Sequence, residues 1–535
     1  MTRIVHFGDP LPLRLADGPP ERTPEYHATQ SLVSPHVLMG FYFFPRGGSA
    51  QVTRYLCRAF SAGPLRLTLF AGSIGAATEN SNAHRFFTGI RCESLDYSPA
   101  RTLWAGGGDP MDAPVPMHAS YEAKDGVPDR IFFALDDSAF DQQVASWTRF
   151  LAADGADGTF RPTVVHLHHL TPMHDAVRRL WPDVPIITHL HGPELKMLAS
   201  VHDRTDAELS VGWTAEWVDR MRRWANDSAR LVVVSAQDEK LVQSLLPVDA
   251  TEVVTIANGV DTEVFSPKQR TLAERMAKWQ HWLVDDPRGW RPGQAEGSIS
   301  YRSDELSGFV DTDGAAVPIV LFAGRFLRFK RVQLLIEAHH ALQSSGGPSS
   351  VLVIVGGFPG EWEGEHPFET VGRLGALNVF FAGWRNHDEL SDILTCSDVF
   401  AAPSVDEPFG LVYLEAMASG LPPIATTTGG PPTFINVDCR HPTGWLVPPD
   451  DLTATTKALA EAVSHPAERT TRGRRAATFV RSQYSWALSA DAFESLYAEV
   501  VDERADLIRG RGSSYGPEPL TPFSDGRSAA SRTTG

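Results

Sequence analysis

Short apolar runs alternate with amphipathic stretches along most of the chain. HVLMGFYFF, LRLTLFAG, TVVHLHH, PIITHLH, RLVVVSA and EVVTIAN come first. PIVLFAG, SVLVIVGG, LNVFFAGW, DVFAAPS and LPPIATT follow after a break. These runs are rich in Val, Ile and Leu without strict polar alternation, the pattern of strands buried on both faces of a parallel sheet. Alternation of such strands with helices predicts two doubly wound α/β domains.

The pattern breaks after Phe265. Residues 266–316 hold one helical stretch, TLAERMAKWQHWLV, and then polar sequence rich in Gly, Pro, Asp and Ser. This predicts an interdomain insertion, partly mobile. YSWALSADAFESLYAEVVDERADLI reads as a long helix over 484–509. The division predicted is an arm over 1–35, a first domain over 36–257, a hinge and insertion over 258–316, a second domain over 317–483, the long helix, and a disordered tail over 510–535 with few large apolar residues. Two domains of this kind leave a cleft, and ligands of open α/β sheets bind beyond the carboxyl ends of the strands.

Composition narrows the class. A chain of 535 residues exceeds one ordinary core, which fits two or three domains. The formal charge of −17 argues against nucleic acid or an anionic membrane as main partner. Cys57, Cys92, Cys396 and Cys439 lie far apart with no Cys-x-x-Cys pair, so neither a disulfide framework nor a zinc ribbon is expected. The start lacks a signal-peptide pattern, and VLMGFYFF is too short to span a bilayer. The expectation is a cytoplasmic protein without an integral membrane segment. Oligomeric state is not legible.

Candidate chemistry sits in loops after strands. In SVDEPFGLVYLEAMASG, Glu407 precedes a Pro-Phe-Gly turn and Glu415 lies eight residues on, inside the following helix. Pro408 restricts Glu407 to extended backbone, and Gly410 permits close approach to a ligand. A helix starting near Leu411 presents free N–H groups suited to phosphate. Carboxylates accept two hydroxyls at once and so suit sugars. The bland alternative is an exposed charge and an ordinary helical glutamate. In FAGRFLRFKRVQLLIEA, Gly324 ends a strand, and Arg325 and Lys330 offer two cations for a diphosphate, or else form a solvated basic turn. In FPRGGSAQVTRYLCRAF, the Gly47-Gly48 pair follows the first strand and allows backbone approach to phosphate or sugar.

His166, His168, His169, His174, His189 and His191 gather near two strand ends. Alternate positions share a face, so His166 with His168, or His189 with His191, have the spacing of metal ligands. No acidic or Cys ligand has matching spacing, so packing and cleft-lining roles are expected and no metal site. His191, before Gly192, is the histidine expected to touch a ligand. Asp311-Thr-Asp313 lies in the polar insertion without supporting context and is read as a decoy. The absence of Gly-x-Gly-x-x-Gly counts against a nicotinamide or flavin enzyme, and the absence of a Walker A motif against a P-loop NTPase.

Together these residues resemble the retaining glycosyltransferases of family 4, which have the GT-B fold: two Rossmann-like domains facing a cleft, with a C-terminal helix crossing back to the first. EPFGLVYLEAMASGLPPIATTTGG matches the family's E-x7-E block. IANGVDTEVFSP is similar to its hinge, GRFLRFK to its diphosphate loop, and PRGGSA and HLHG to its first-domain loops. The chain is closer to the branch with the mycothiol-pathway and sucrose-type enzymes. It departs in Arg331, where Gly is usual, and in the long 266–316 insertion.

The resemblance implies an acceptor domain followed by a donor domain. It implies Arg325 and Lys330 on the donor diphosphate and Glu415 on the ribose. Glu407, with backbone N–H groups at Phe409, Gly410 and Leu411 and neighbouring Val412, would hold the transferred sugar and phosphate. Gly48, with Gly47, and His191 would face the donor from the first domain. Trp384 and Arg385 would lie where the base is met, often through backbone. The implied reaction moves a sugar from a nucleotide diphosphate sugar to a small-molecule acceptor with retention, without metal or other cofactor. A sugar phosphorylase, a sugar-nucleotide epimerase and a non-catalytic nucleotide-sugar sensor are the alternatives.

Overall fold

A computed structural model describes residues 35–512 except 62, 123–126, 155–160, 203, 205–211 and 439. Residues 1–34 of the expected arm and 513–535 of the expected tail lie outside the described residues, as does Cys439.

The first sheet has seven parallel strands: β1 (His36–Phe41), β2 (Arg66–Ser73), β3 (Cys92–Asp96), β4 (Val164–His168), β5 (Ile186–His189), β6 (Arg230–Val233) and β7 (Val253–Thr255), in the order β3-β2-β1-β4-β5-β6-β7. The second has six: β8 (Ile319–Ala323), β9 (Val351–Val355), β10 (Val379–Gly383), β11 (Val399–Ala401), β12 (Pro423–Thr426) and β13 (Trp445–Val447), in the order β10-β9-β8-β11-β12-β13. Both sheets are doubly wound. The order reverses between β1 and β4 in one and between β8 and β11 in the other. Such switch points open crevices at the strand carboxyl ends.

β4, β8 and β9 are buried along their whole length, which accounts for their unbroken apolar character. β3 (CESLD) and β13 (WLV) were not legible in the apolar pattern. One is half polar and the other is three residues long.

The insertion differs from its expected looseness. A capping box at Thr271 and Glu274 starts the helix Leu272–Gln280. Trp279, Trp282 and Trp290 are at most 2 % exposed and join the core of the second domain with Ile299, Leu306 and Phe309. Arg275 donates to the carbonyl of Cys396 and to Asp398, and Lys278 to Asp392. Trp279 sits in that helix and Trp282 in the helical turn His281–Asp285, while Trp290 follows in irregular backbone; each buries a large apolar area.

The C-terminal helix, Trp486–Gly512, runs three residues past the expected boundary at 509. Phe493, Leu496, Tyr497 and Val500 are buried in the core of the first domain, and Trp486 stacks on Tyr55 with ring centroids 5.7 Å apart. The two chain crossings lie side by side, where Val260 N donates to the carbonyl of Tyr484 at 2.7 Å. No described helix is long and apolar enough to cross a membrane.

Candidate active site

Two loops of the second domain meet at its switch point. The loop after β8 carries Gly324, Arg325 and a short turn over Arg328–Lys330, and the loop after β11 carries Glu407. Val405 N donates to the carbonyl of Phe329 at 2.8 Å and ties the loops together. Lys330 Nζ lies 2.5 Å from Glu407 Oε2, both side chains largely buried. Gly430 N donates to the Glu407 carbonyl at 2.7 Å, which fixes the backbone of that residue from the third side. Gly324 is held by β9: its N–H donates to Val355 at 3.0 Å and its carbonyl accepts from Gly357 at 3.2 Å.

Arg331 occupies the left-handed region, with φ of 51°. The backbone shape that favours glycine is therefore kept, at a cost of about 1–2 kcal/mol for an L-residue. The Arg331 guanidinium donates to both carboxylate oxygens of Asp450.

The helix Leu411–Ala418 starts at Gly410, whose φ of +94° turns the chain from Glu407 into the helix. The N–H groups of the first turn, Leu411 and Val412 among them, have no partner within the helix and open toward the cleft end. Phe409 is buried against Phe434, so only its backbone is available. Glu415 is buried one turn inside, 3.7 Å from His387 Nε2. Burial pushes its carboxyl up to about 8, against the pull of Arg54.

The first domain closes the opposite wall. Gly47, with φ of +70°, and Gly48 start a helix over Gly47–Ser61, and a side chain at either would enter open space. His191 Nε2 lies 2.8 Å from His168 Nδ1, and burial among histidines depresses its pKa well below the usual imidazole range. Gly192, at φ of +98°, abuts the second domain, where a Cβ would lie 2.8 Å from Pro408. A cavity of about 460 Å³ extends from here, lined by Lys196, Gln237, Asp238, Arg328, Asp406 and Glu407 among others.

Several residues bridging the cleft were not singled out from sequence. Lys196 Nζ sits 3.9 Å from the Phe329 ring centre, Gln237 Oε1 accepts from Gly429 N at 2.7 Å, and Glu122 meets Arg325 at 3.4 Å. Tyr55 pairs with His387 at 3.0 Å, next to Glu415. Only the closed chain path brings these together; the Gly429-Gly430 pair after β12 was the one available signal.

The Arg385 side chain has a structural role. Its side chain is buried, donating to Asp286 at 2.7 Å, to the Trp282 carbonyl at 2.9 Å and to the Ala382 carbonyl at 3.1 Å. Its guanidinium anchors the insertion. Trp384 stays at the end of β10, half-buried, with its ring 5.2 Å from that of Phe358. A larger depression of about 770 Å³ lies between three helices of the first domain, not at strand ends, and some of its charges are internally paired, as in Arg223 with Asp175 and Arg220 with Asp137.

Two doubly wound domains with charged loops at facing switch points define the GT-B class of glycosyltransferases. The family model for glycosyl transferases group 1 matches residues 314–479, and that for glycosyltransferase family 4 matches residues 115–264. The chain belongs to this family of glycosyltransferases. D-inositol 3-phosphate glycosyltransferase of Corynebacterium aurimucosum is 26% identical over 345 residues, 63% of this chain and 72% of the relative. Glycogen synthase of Mycobacterium tuberculosis is 25% identical over 441 residues, 78% of this chain and 87% of that protein. The structure of sucrose-phosphate synthase from Thermosynechococcus elongatus shares the fold with a TM-score of 0.60 at 19% identity, covering 88% of this chain and all of that one.

Proposed function

We propose that the protein transfers a glycosyl group from a nucleoside diphosphate sugar to a hydroxyl of a small-molecule acceptor, with retention at the anomeric carbon and no metal on the diphosphate. The observation that carries this reading is the Lys330–Glu407 pair set before the N-terminus of the Leu411 helix. A lysine, an arginine and free N–H groups converge where a leaving diphosphate gains charge. Preorganised groups of this kind stabilise such charge without reorganising. Glu407, released from Lys330, accepts hydroxyls of the transferred sugar, and Glu415 those of the ribose. The acceptor occupies the cavity of about 460 Å³, a volume suited to a small molecule. Its hydroxyl attacks on the face from which the diphosphate departs, through an oxocarbenium-like state. The naming of one relative for D-inositol 3-phosphate supports an acceptor of this size.

The test is a panel of UDP-, GDP-, ADP- and TDP-sugars, followed by donor hydrolysis and by thermal stabilisation. One donor is expected to be turned over and to raise the melting temperature. Stabilisation without turnover of any donor, with or without added acceptors, makes the protein a sensor and sinks the proposal. Turnover is also expected to stay within about twofold in EDTA, because protein cations replace the usual metal at the diphosphate. Loss of activity in EDTA with recovery on Mg²⁺ or Mn²⁺ overturns that assignment of charge.

A further inference from the structure

Strand register joins His189 to His166 and His168, a set that linear spacing gave only as separate pairs. His166 and His168 alternate on β4 and share a face. His168 pairs directly with His189 across β4 and β5, which puts the third ring on the same face. All three are at most 1 % exposed, and one ring nitrogen from each lies within 4.8 Å of the others. His166 Nε2, His168 Nε2 and both ring nitrogens of His189 have no hydrogen-bond partner. A buried polar atom left without a partner is destabilising, so several at one spot point to something that binds them.

The remaining nitrogens are already engaged. His166 Nδ1 lies 2.6 Å from the Tyr497 hydroxyl and His168 Nδ1 lies 2.8 Å from His191 Nε2. When Nδ1–H donates outward, Nε2 carries its lone pair inward, the tautomer that a metal takes. A buried carboxylate, Glu194, joins the same network through His169 Nδ1 at 3.0 Å and His191 N at 2.7 Å. The roof is the C-terminal helix, whose Phe493 ring lies 4.9 Å from that of His166.

We propose that His166, His168 and His189 form a site for one divalent ion of the zinc class, seated as the chain folds and fastening the C-terminal helix to the first sheet through Tyr497. Three imidazoles with a water as fourth ligand make a known zinc donor set, and imidazole suits Zn²⁺ or Co²⁺, whereas Mg²⁺ and Ca²⁺ require oxygen. Zinc–nitrogen bonds of about 2.0–2.1 Å place tetrahedral ligands about 3.3 Å apart, so ring rotations draw the three nitrogens together. The ion lies beneath the C-terminal helix and takes no part in the transfer step. It holds His168, and through it His191, in one orientation.

The experiment uses the full-length chain without a polyhistidine tag, produced in zinc- or cobalt-supplied medium and desalted in EDTA. Elemental analysis is expected to find about one ion per chain. The cobalt form is expected to show visible d–d bands with nitrogen coordination, and the loaded protein to melt higher than protein from chelated medium. His166→Phe and His189→Phe keep a buried planar ring and are expected to lower the ion content at least tenfold. Less than a tenth of an ion in the wild-type chain from both media overturns the site. So does equal retention by both variants. Where the variants fail to fold, the wild-type cobalt spectrum decides alone, and absence of d–d bands is the overturning result.

Discussion

Lys330→Ala is expected to lower kcat about a hundredfold or more while donor affinity falls far less. Charge on the leaving diphosphate grows as the glycosidic bond breaks, so a cation placed there is worth more in the transition state than in the ground state. The structure adds a second consequence. Lys330 is the partner of Glu407 at 2.5 Å, with 14 % and 9 % of the two side chains exposed. Removing one member of a buried pair typically costs about 3–5 kcal/mol, because a carboxylate is left without its counter-charge. The single variant is therefore expected to melt lower as well as turn over slowly. The double variant Lys330→Ala/Glu407→Gln removes the stranded charge. It is expected to recover most of the melting temperature and none of the rate. Stopped-flow or steady-state rates beside calorimetric donor binding separate the effects. An unchanged kcat in a folded Lys330→Ala protein demotes the GRFLRFK loop to a structural turn.

Glu407→Gln and Glu415→Gln are expected to fail in different ways. Glu415 lies inside the helix beside His387 and Tyr55, whereas Glu407 stands at the turn before it. At pH 8, Glu415→Gln is expected to weaken binding of donor and bare nucleoside diphosphate alike, about 10- to 100-fold, the value of a charge-assisted hydrogen bond of about 1.5–3 kcal/mol. Glu407→Gln is expected to spare the bare nucleotide and slow turnover.

The ionisation of Glu415 supplies an independent readout. Burial raises its carboxyl to about 8, so at neutral pH the free protein holds it protonated. A carboxylate that accepts two ribose hydroxyls favours the charged form. Nucleotide binding is therefore expected to release a proton, and affinity to rise with pH until about 8 and then level. Calorimetry in buffers of different ionisation enthalpy counts that proton, and Glu415→Gln is expected to abolish both the release and the slope. For stability the sign is opposite. A pKa raised on folding favours the protonated state, so this group's contribution is full below about 4.5 and is lost as pH rises through about 8. Nucleotide binding weakened by Glu407→Gln but not by Glu415→Gln reverses the polarity assigned to the helix.

Part of this site was legible because its signals are local. Glu407, Pro408 and Gly410 declare a turn, and the apolar helix after them declares where N–H groups end unpaired. Arg325 and Lys330 follow a strand in the same way. Glu407 and Lys330 are 77 residues apart, and nothing in their spacing shows that one neutralises the other. The side-chain partners of Arg385 were hidden for a related reason. They appear only once the insertion wraps back and supplies Asp286 and two carbonyls.

The amino-acid sequence by itself determined the two doubly wound domains, the cleft between them and the loops that carry charge. Buried parallel strands, glycine turns and helix starts follow from short-range burial and backbone sterics. Only the tertiary structure decided which charges meet, that the tryptophans of 279–290 make the insertion part of a core, and that His189 completes a set with His166 and His168. Those outcomes depend on sheet register and on the return of the C-terminal helix. The free energy that selects them comes from burying surfaces far apart in the chain, which no local pattern records.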